Sequence, residues 1–162
     1  MIVLVRCDDR LIHGQCMTVI VKDYKIKDII VVDDYTAKNQ ILKSVFEAAV
    51  PSNMSARVYT LDEGIPKIES ALENDERTLI LMKSPVVYHE LREKIKNFPN
   101  ELNIGPMSKR KGTTEVQATS HLLPTEAQAI KDVVANGAHV YFQQVPKQPR
   151  IEWDEVKNRF DV

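Results

Sequence analysis

The 162-residue sequence lacks most of the features that mark a specialised class of protein. Charge of one sign is missing: 22 Lys and Arg stand against 23 Asp and Glu, a formal net charge of −1. No global field is therefore available to hold a nucleic-acid backbone or an anionic membrane, and nucleic acid is not an expected partner. No apolar run approaches the ~20 residues that a membrane span requires. The N-terminal "MIVLV" is too short for a signal segment and has no basic stretch before it, so a cytoplasmic protein is expected. Cysteine is scarce, with Cys7 and Cys16 only and no CxxC spacing. That excludes a zinc framework or a disulfide scaffold and reads as two reduced, structural thiols. No GxGxxG or Walker loop occurs, which removes the usual glycine-rich phosphate cradles. Repeats, low-complexity tracts and linkers are also absent, and residues 1–162 read as one domain of a size that a single core can serve.

What is present is an alternation of short apolar runs and amphipathic stretches. "IVLV" (2–5), "DIIVVDD" (28–34), "ARVYT" (56–60), "RTLILM" (77–82) and "LNIG" (102–105) have strand length and β-branched or aliphatic character. Their continuous apolarity predicts strands covered on both faces. Helical spacing over about 15–24, 37–49, 62–74 and 85–96 fills the gaps, as with Ile41, Leu42, Val45 and Ala49. Thr60 with Glu63, and Thr125 with Gln128, have capping-box spacing, and Pro51 and Pro99 follow helix ends. Residues 113–123 and 139–145 read as further strands around a helix over 125–137, and "WDEVKNRF" as a closing helix. The expectation is an α/β fold: a mostly parallel central sheet, helices on both faces and a mixed C-terminal edge.

In such sheets the carboxyl ends of the strands form the ligand crevice. The segments there are "RCDDRLIHGQ" (6–15), "DDYT" (33–36), "KSP" (83–85) and "GPMSKRKGT" (105–113). His13 is open to two readings: a hydrogen-bonded loop residue, or a nucleophile whose tautomer Asp8 or Asp9 fixes. Arg6 and Arg10 offer bidentate donors to phosphoryl oxygens, with a local salt bridge or turn cap as the plainer role for Asp8 and Arg10. Gly14 permits a tight turn, and Gln15 opens a helix whose free N–H groups favour an anion. His89, His121 and His139 show no metal-site spacing and read as ordinary polar residues. Trp153 reads as a packing anchor.

The string "DDRLIHGQ" resembles the IIB phosphocarrier subunits of the mannose, fructose and sorbose family of the bacterial sugar phosphotransferase system. "IIVVDDYTA", "LMKSP", "LNIGPM" and "QQVP" match further segments of that family in order and spacing. The resemblance implies that His13 takes a phosphoryl group from a IIA partner and passes it to a sugar delivered by membrane IIC and IID partners. No metal or other cofactor is required by that scheme. It implies Arg10 on the phosphoryl oxygens, Asp9 orienting the imidazole or restraining Arg10, and supporting contacts from Arg6, Gly14, Gln15, Asp33, Asp34, Lys83 and Ser84. For Ser84, before Pro85, a helix cap is an equal reading. Departures at Ile20 and Pro106 bear on sugar or partner fit, the basic "SKRK" on an acidic partner surface, and self-association stays open. Two other readings are a receiver-like domain phosphorylated on aspartate and a sugar-phosphate or nucleotide binder without transfer chemistry.

Overall fold

The computed structural model describes the backbone of residues 1–162 and all side chains but those of residues 15 and 16. The expectations for the side chains of Gln15 and Cys16 therefore lie outside the described residues. Strand and helix alternate as the apolar pattern demands. β1 (Ile2–Cys7), α1 (Gly14–Asp23), β2 (Asp28–Val32), α2 (Asp34–Lys38), α3 (Gln40–Glu47), β3 (Ser55–Tyr59), α4 (Leu61–Glu73), β4 (Thr78–Met82), α5 (Pro85–Lys94) and β5 (Glu101–Ile104) form the first two thirds. β6 (Thr114–Gln117), β7 (Ser120–Leu122), α6 (Pro124–Ala135), β8 (His139–Phe142), β9 (Ile151–Glu152) and α7 (Trp153–Val156) follow.

Seven strands make the central sheet in the order β3-β2-β4-β1-β5-β8-β9, parallel except for the antiparallel β9 edge. Successive side chains on a strand face opposite ways, and the continuous apolar runs consequently feed two cores. Leu4, Ile29, Val31, Leu79 and Leu81 pack with Met17 and Ile20 of α1 on one face. Val5, Cys7, Ile30, Val32, Ile80 and Met82 pack with Ile68, Leu91 and Ile130 of α4, α5 and α6 on the other. Burying each such side chain contributes about 1.5–3 kcal/mol. Among the described residues no helix is long and apolar enough to cross a membrane.

Three expectations change at the level of elements. The helix expected over 37–49 is two helices, because Asn39 takes an extended backbone (φ −103°, ψ 102°) and its side chain accepts the Leu42 N–H to start α3. Residues 113–123 do not extend the main sheet: β6 and β7 pair with each other as a separate antiparallel hairpin. The expected cap of α6 by Thr125 and Gln128 is replaced by Glu126, whose carboxylate accepts the Leu123 N–H at 2.9 Å. The Thr60–Glu63 capping box forms as read. Trp153 is buried and stacks on Phe160, as a packing anchor should.

β1 is the middle strand of the sheet, with β4 and β5 flanking it on either side. The chain leaving β1 is therefore held by both neighbours. Asp8 N–H donates to the Met82 carbonyl at the end of β4, and Asp9 N–H to the Pro106 carbonyl beyond β5.

Candidate functional site

The β1–α1 loop closes as a turn, with Leu11 N–H donating to the Asp8 carbonyl at 3.0 Å. Leu11 adopts φ +56° with a fully buried side chain. A left-handed conformation of this kind costs a bulky residue of order 1–3 kcal/mol and is a recurrent feature of functional loops. The strained position is Leu11, which corrects the expectation that Gly14 supplies the tight turn: Gly14 has no positive φ and begins α1. A Cβ at Gly14 would meet nothing within 4 Å. Its value here is an open approach beside His13.

His13 is the N-cap residue of α1, with extended backbone and no side-chain cap. Its imidazole is thereby free to turn toward Asp8: Nε2 lies 2.7 Å from Asp8 Oδ2. Asp8 is only 1% exposed, and its other oxygen accepts the Arg10 N–H at 3.1 Å. A carboxylate only accepts hydrogen bonds, so we assign the imidazole proton to Nε2 and the lone pair to Nδ1. Among the described residues Nδ1 has no hydrogen-bond partner. A basic nitrogen beside a helix N-terminus, whose first N–H groups lack intrahelical acceptors, suits attack on an electrophile that carries anionic oxygens.

The other sequence-derived candidates separate into distinct groups. Arg10 is exposed, and its guanidinium makes no ion pair among the described residues, which leaves it available to an incoming anion. Asp9 does not reach the imidazole: its Oδ2 accepts the Ser108 N–H, tying the 106–112 loop to the β1–α1 loop. The carboxylate within hydrogen-bond reach of the imidazole is Asp8. Arg6 is a second correction, because at 1% exposure it cannot meet a phosphoryl group at the surface. It lies beneath the site with Nη2 3.8 Å from Asp8 Oδ2.

Asp33 caps α2 by accepting from Thr36 N–H and hydroxyl, and its carboxylate pairs with Lys83 at 3.4 Å. Asp34 accepts the Leu61 N–H at 2.8 Å and so joins α2 to α4. Ser84 accepts the Val86 N–H as the cap of α5, with Pro85 in the first helical turn. These four are engaged in structural contacts at the ends of β2 and β4, one strand and more away from the imidazole. In the basic loop, Arg110 is held at 2.9 Å by the buried Glu126, while Lys109 and Lys111 are exposed.

Two residues escaped the sequence reading. Asn103 and Gly105, in "LNIG", lie against the Arg6 guanidinium, and their meaning depends on the pairing of β1 with β5. Cys7 is not a rival nucleophile. It is buried, and that burial, reinforced by the charge of Glu126, pushes its thiol well up from the ordinary range. Beside His13 runs an apolar groove of about 390 Å³, lined among others by Ile12, Met17, Val21, Val50 and Met54.

Comparison with known proteins identifies the family and the fold. The family model for the PTS system sorbose subfamily IIB component matches residues 2–161. A probable phosphotransferase enzyme IIB component from Streptococcus pyogenes serotype M6 is 27% identical, covering 98% of this chain and 100% of that protein. The mannose-specific EIIAB component of the PTS system in Escherichia coli K12 is also 27% identical over 98% of this chain, which spans 49% of that longer protein. The crystal structure of the IIBSor domain of the sorbose permease from Klebsiella pneumoniae superposes with a TM-score of 0.90 at 25% identity, covering 99% of both chains. Matched over nearly its whole length on this fold, the chain belongs to the sorbose subfamily of IIB components, the phosphotransferases of the sugar phosphotransferase system.

Proposed function

We propose that residues 1–162 act as one IIB phosphocarrier domain in which Nδ1 of His13 carries the phosphoryl group. The observation that carries this reading is the 2.7 Å contact between His13 Nε2 and the buried Asp8 carboxylate, which leaves Nδ1 as the nucleophile. In the first step the Nδ1 lone pair attacks phosphorus in line, and the N–P bond of a phosphohistidine on the IIA donor breaks. The donor imidazole leaves with that electron pair. Phosphorylated His13 is then an imidazolium whose positive charge is shared through Nε2–H with Asp8. In the second step a sugar hydroxyl held by the membrane IIC and IID partners attacks phosphorus. The N–P bond breaks, the electron pair returns to Nδ1, and the hydroxyl proton passes to solvent.

Such transfers depend mainly on positioning and on stabilising charge around the equatorial oxygens. Arg10 supplies the mobile cation, and the N-terminus of α1 a fixed partial positive charge. Lys109 and Lys111 extend the basic surface toward the partner. The protein works on this account at the cytoplasmic face of the membrane through its partners. An aspartyl-phosphate is disfavoured because Asp8, Asp9, Asp33 and Asp34 each already accept a hydrogen bond from the protein.

The test is phosphorylation with phosphoenolpyruvate, the general phosphotransferase proteins and a cognate IIA. The expected label is stable to base, lost in acid and abolished by His13→Ala. Release by hydroxylamine would mark an acyl phosphate and contradict the proposal.

A further inference from the structure

Beneath the nucleophile lies an arginine that the phosphoryl group never touches. Arg6 is 1% exposed, and burying a guanidinium costs several kcal/mol unless charge and hydrogen bonds compensate it. Two separate segments supply that compensation. Nη1 donates to Asn103 Oδ1 at 2.5 Å and to the Gln143 carbonyl at 3.1 Å, and Nη2 donates to the Gln144 carbonyl at 2.7 Å. Asn103 is the cross-strand partner of Arg6 in the parallel β1–β5 pair, and its own amide donates to the same Gln143 carbonyl.

Gly105 completes the seat. A Cβ there would lie 2.4 Å from Nη2 and 2.5 Å from Cζ, so any other residue displaces the guanidinium. The result is a positive charge immobilised by strand β5 and by the loop beyond β8. Its Nη2 stands 3.8 Å from the Asp8 oxygen that receives His13, at ion-pair rather than hydrogen-bond distance. At that separation Arg6 is a fixed counter-charge that holds the Asp8 carboxylate in place, while the Oδ2 lone pair stays directed at Nε2–H.

From this geometry we infer that Arg6 is a positioning residue: seated by Asn103, Gly105 and the carbonyls of Gln143 and Gln144, it fixes Asp8 and, through Asp8, the Nε2–H tautomer of His13. The inference rests on the reading of His13 as phosphoryl acceptor, but its first readout needs no phosphorylation. Two-dimensional ¹⁵N–¹H spectra of histidine-labelled protein, at a pH where the ring is neutral, report the tautomer of His13 directly. The wild type is expected to show the Nε2–H form alone.

Arg6→Met and Gly105→Ala are expected to give a mixture of both tautomers and to slow phosphoryl transfer about 10- to 100-fold, the usual effect of losing a group that orients a reactive one. Arg6→Lys recovers part of both. Gly105→Ala keeps every charge and serves if Arg6→Met fails to fold, near-UV circular dichroism being the check. A folded Arg6→Met or Gly105→Ala protein with the wild-type tautomer overturns the inference. If wild-type His13 accepts no phosphoryl group, the functional reading falls, and the tautomer spectra still decide the role of Arg6.

Discussion

Asp8→Asn changes one atom and strikes the centre of the site. The wild-type carboxylate accepts from two donors, Arg10 N–H at 3.1 Å and His13 Nε2 at 2.7 Å. An asparagine has one carbonyl oxygen for the pair, and its amide nitrogen then faces a donor. If the carbonyl keeps Arg10, the imidazole must turn its Nε2 lone pair to the amide and carry its proton on Nδ1, the atom that attacks phosphorus in the proposed mechanism. If the carbonyl keeps His13, the loop loses the Arg10 contact, and the phosphorylated imidazolium loses its counter-charge either way. A hydrogen bond to a charged group is worth about 1.5–3 kcal/mol, which corresponds to a slowing of about 10- to 150-fold. Rapid-quench measurement of a single transfer from phosphorylated IIA reads this directly. Asp9→Asn is the matched control, since Asp9 holds Ser108 rather than His13, and less than about a threefold change is expected. A folded Asp8→Asn protein transferring at the wild-type rate, or an Asp9→Asn protein slowed as much, would refute the assignment of Asp8 over Asp9.

Other consequences concern stability and access. Gly14→Ala adds a methyl group that meets no atom within 4 Å, so urea unfolding is expected to show a gain of about 0.4–1 kcal/mol from the stiffer unfolded chain, while transfer between proteins slows because the approach to His13 narrows; a lower urea midpoint would contradict the open geometry. Thr60→Ala removes the capping box of α4, at a cost of about 1 kcal/mol and about 2–4 °C in Tm; an unchanged calorimetric Tm would show the cap to be idle. His139 bridges Glu101 at 3.0 Å and Glu152 at 2.7 Å across the β5, β8 and β9 strands. Partial burial pulls its pKa down, but the two carboxylates outweigh this and raise it above the usual 6.5. The bridge thus stabilises the fold fully below about pH 6.5 and fades as pH rises through the raised folded value. With these groups nearly half exposed, solvent screening keeps the effect under about 1 kcal/mol. Urea midpoints of wild type and His139→Gln should converge as pH rises from about 6.5 through the raised folded value, and a constant difference across that rise would be inconsistent with the bridge.

The layers of the fold were legible because a strand covered on both faces must be apolar throughout. Runs such as "DIIVV" and "TLILM" have no other stable place in a chain of this composition. The break at Asn39 was not legible, since Ile41, Leu42 and Val45 satisfy helical spacing on either side of a cap and Asn39 signals its role only once the backbone turns. Nor was the separation of the β6–β7 hairpin, where alternating polarity fits an edge strand as well as an isolated ribbon.

At the site, the placement of His13 at the head of α1 was visible in its string, and the helix-capping place of Ser84 in its position before Pro85. The choice between Asp8 and Asp9 has a signal in strand parity. Leu4 and Arg6 face the α1 side of β1, Val5 and Cys7 the other, and continuing the alternation directs Asp8 toward Arg6 and His13. The seat of Arg6 had no local signal at all, because it joins residues 97 to 138 positions apart through the register of β1, β5 and β8.

The central claim is that one atom, Nδ1 of His13, becomes the phosphoryl carrier. Phosphorus and nitrogen NMR of protein labelled with ¹⁵N-histidine and phosphorylated through its IIA partner identifies the nitrogen bound to phosphorus by its one-bond coupling. The account predicts a single N–P coupling at Nδ1 of His13, with Nε2 still protonated against Asp8. Phosphorus on Nε2, on another histidine or on a carboxylate would contradict it.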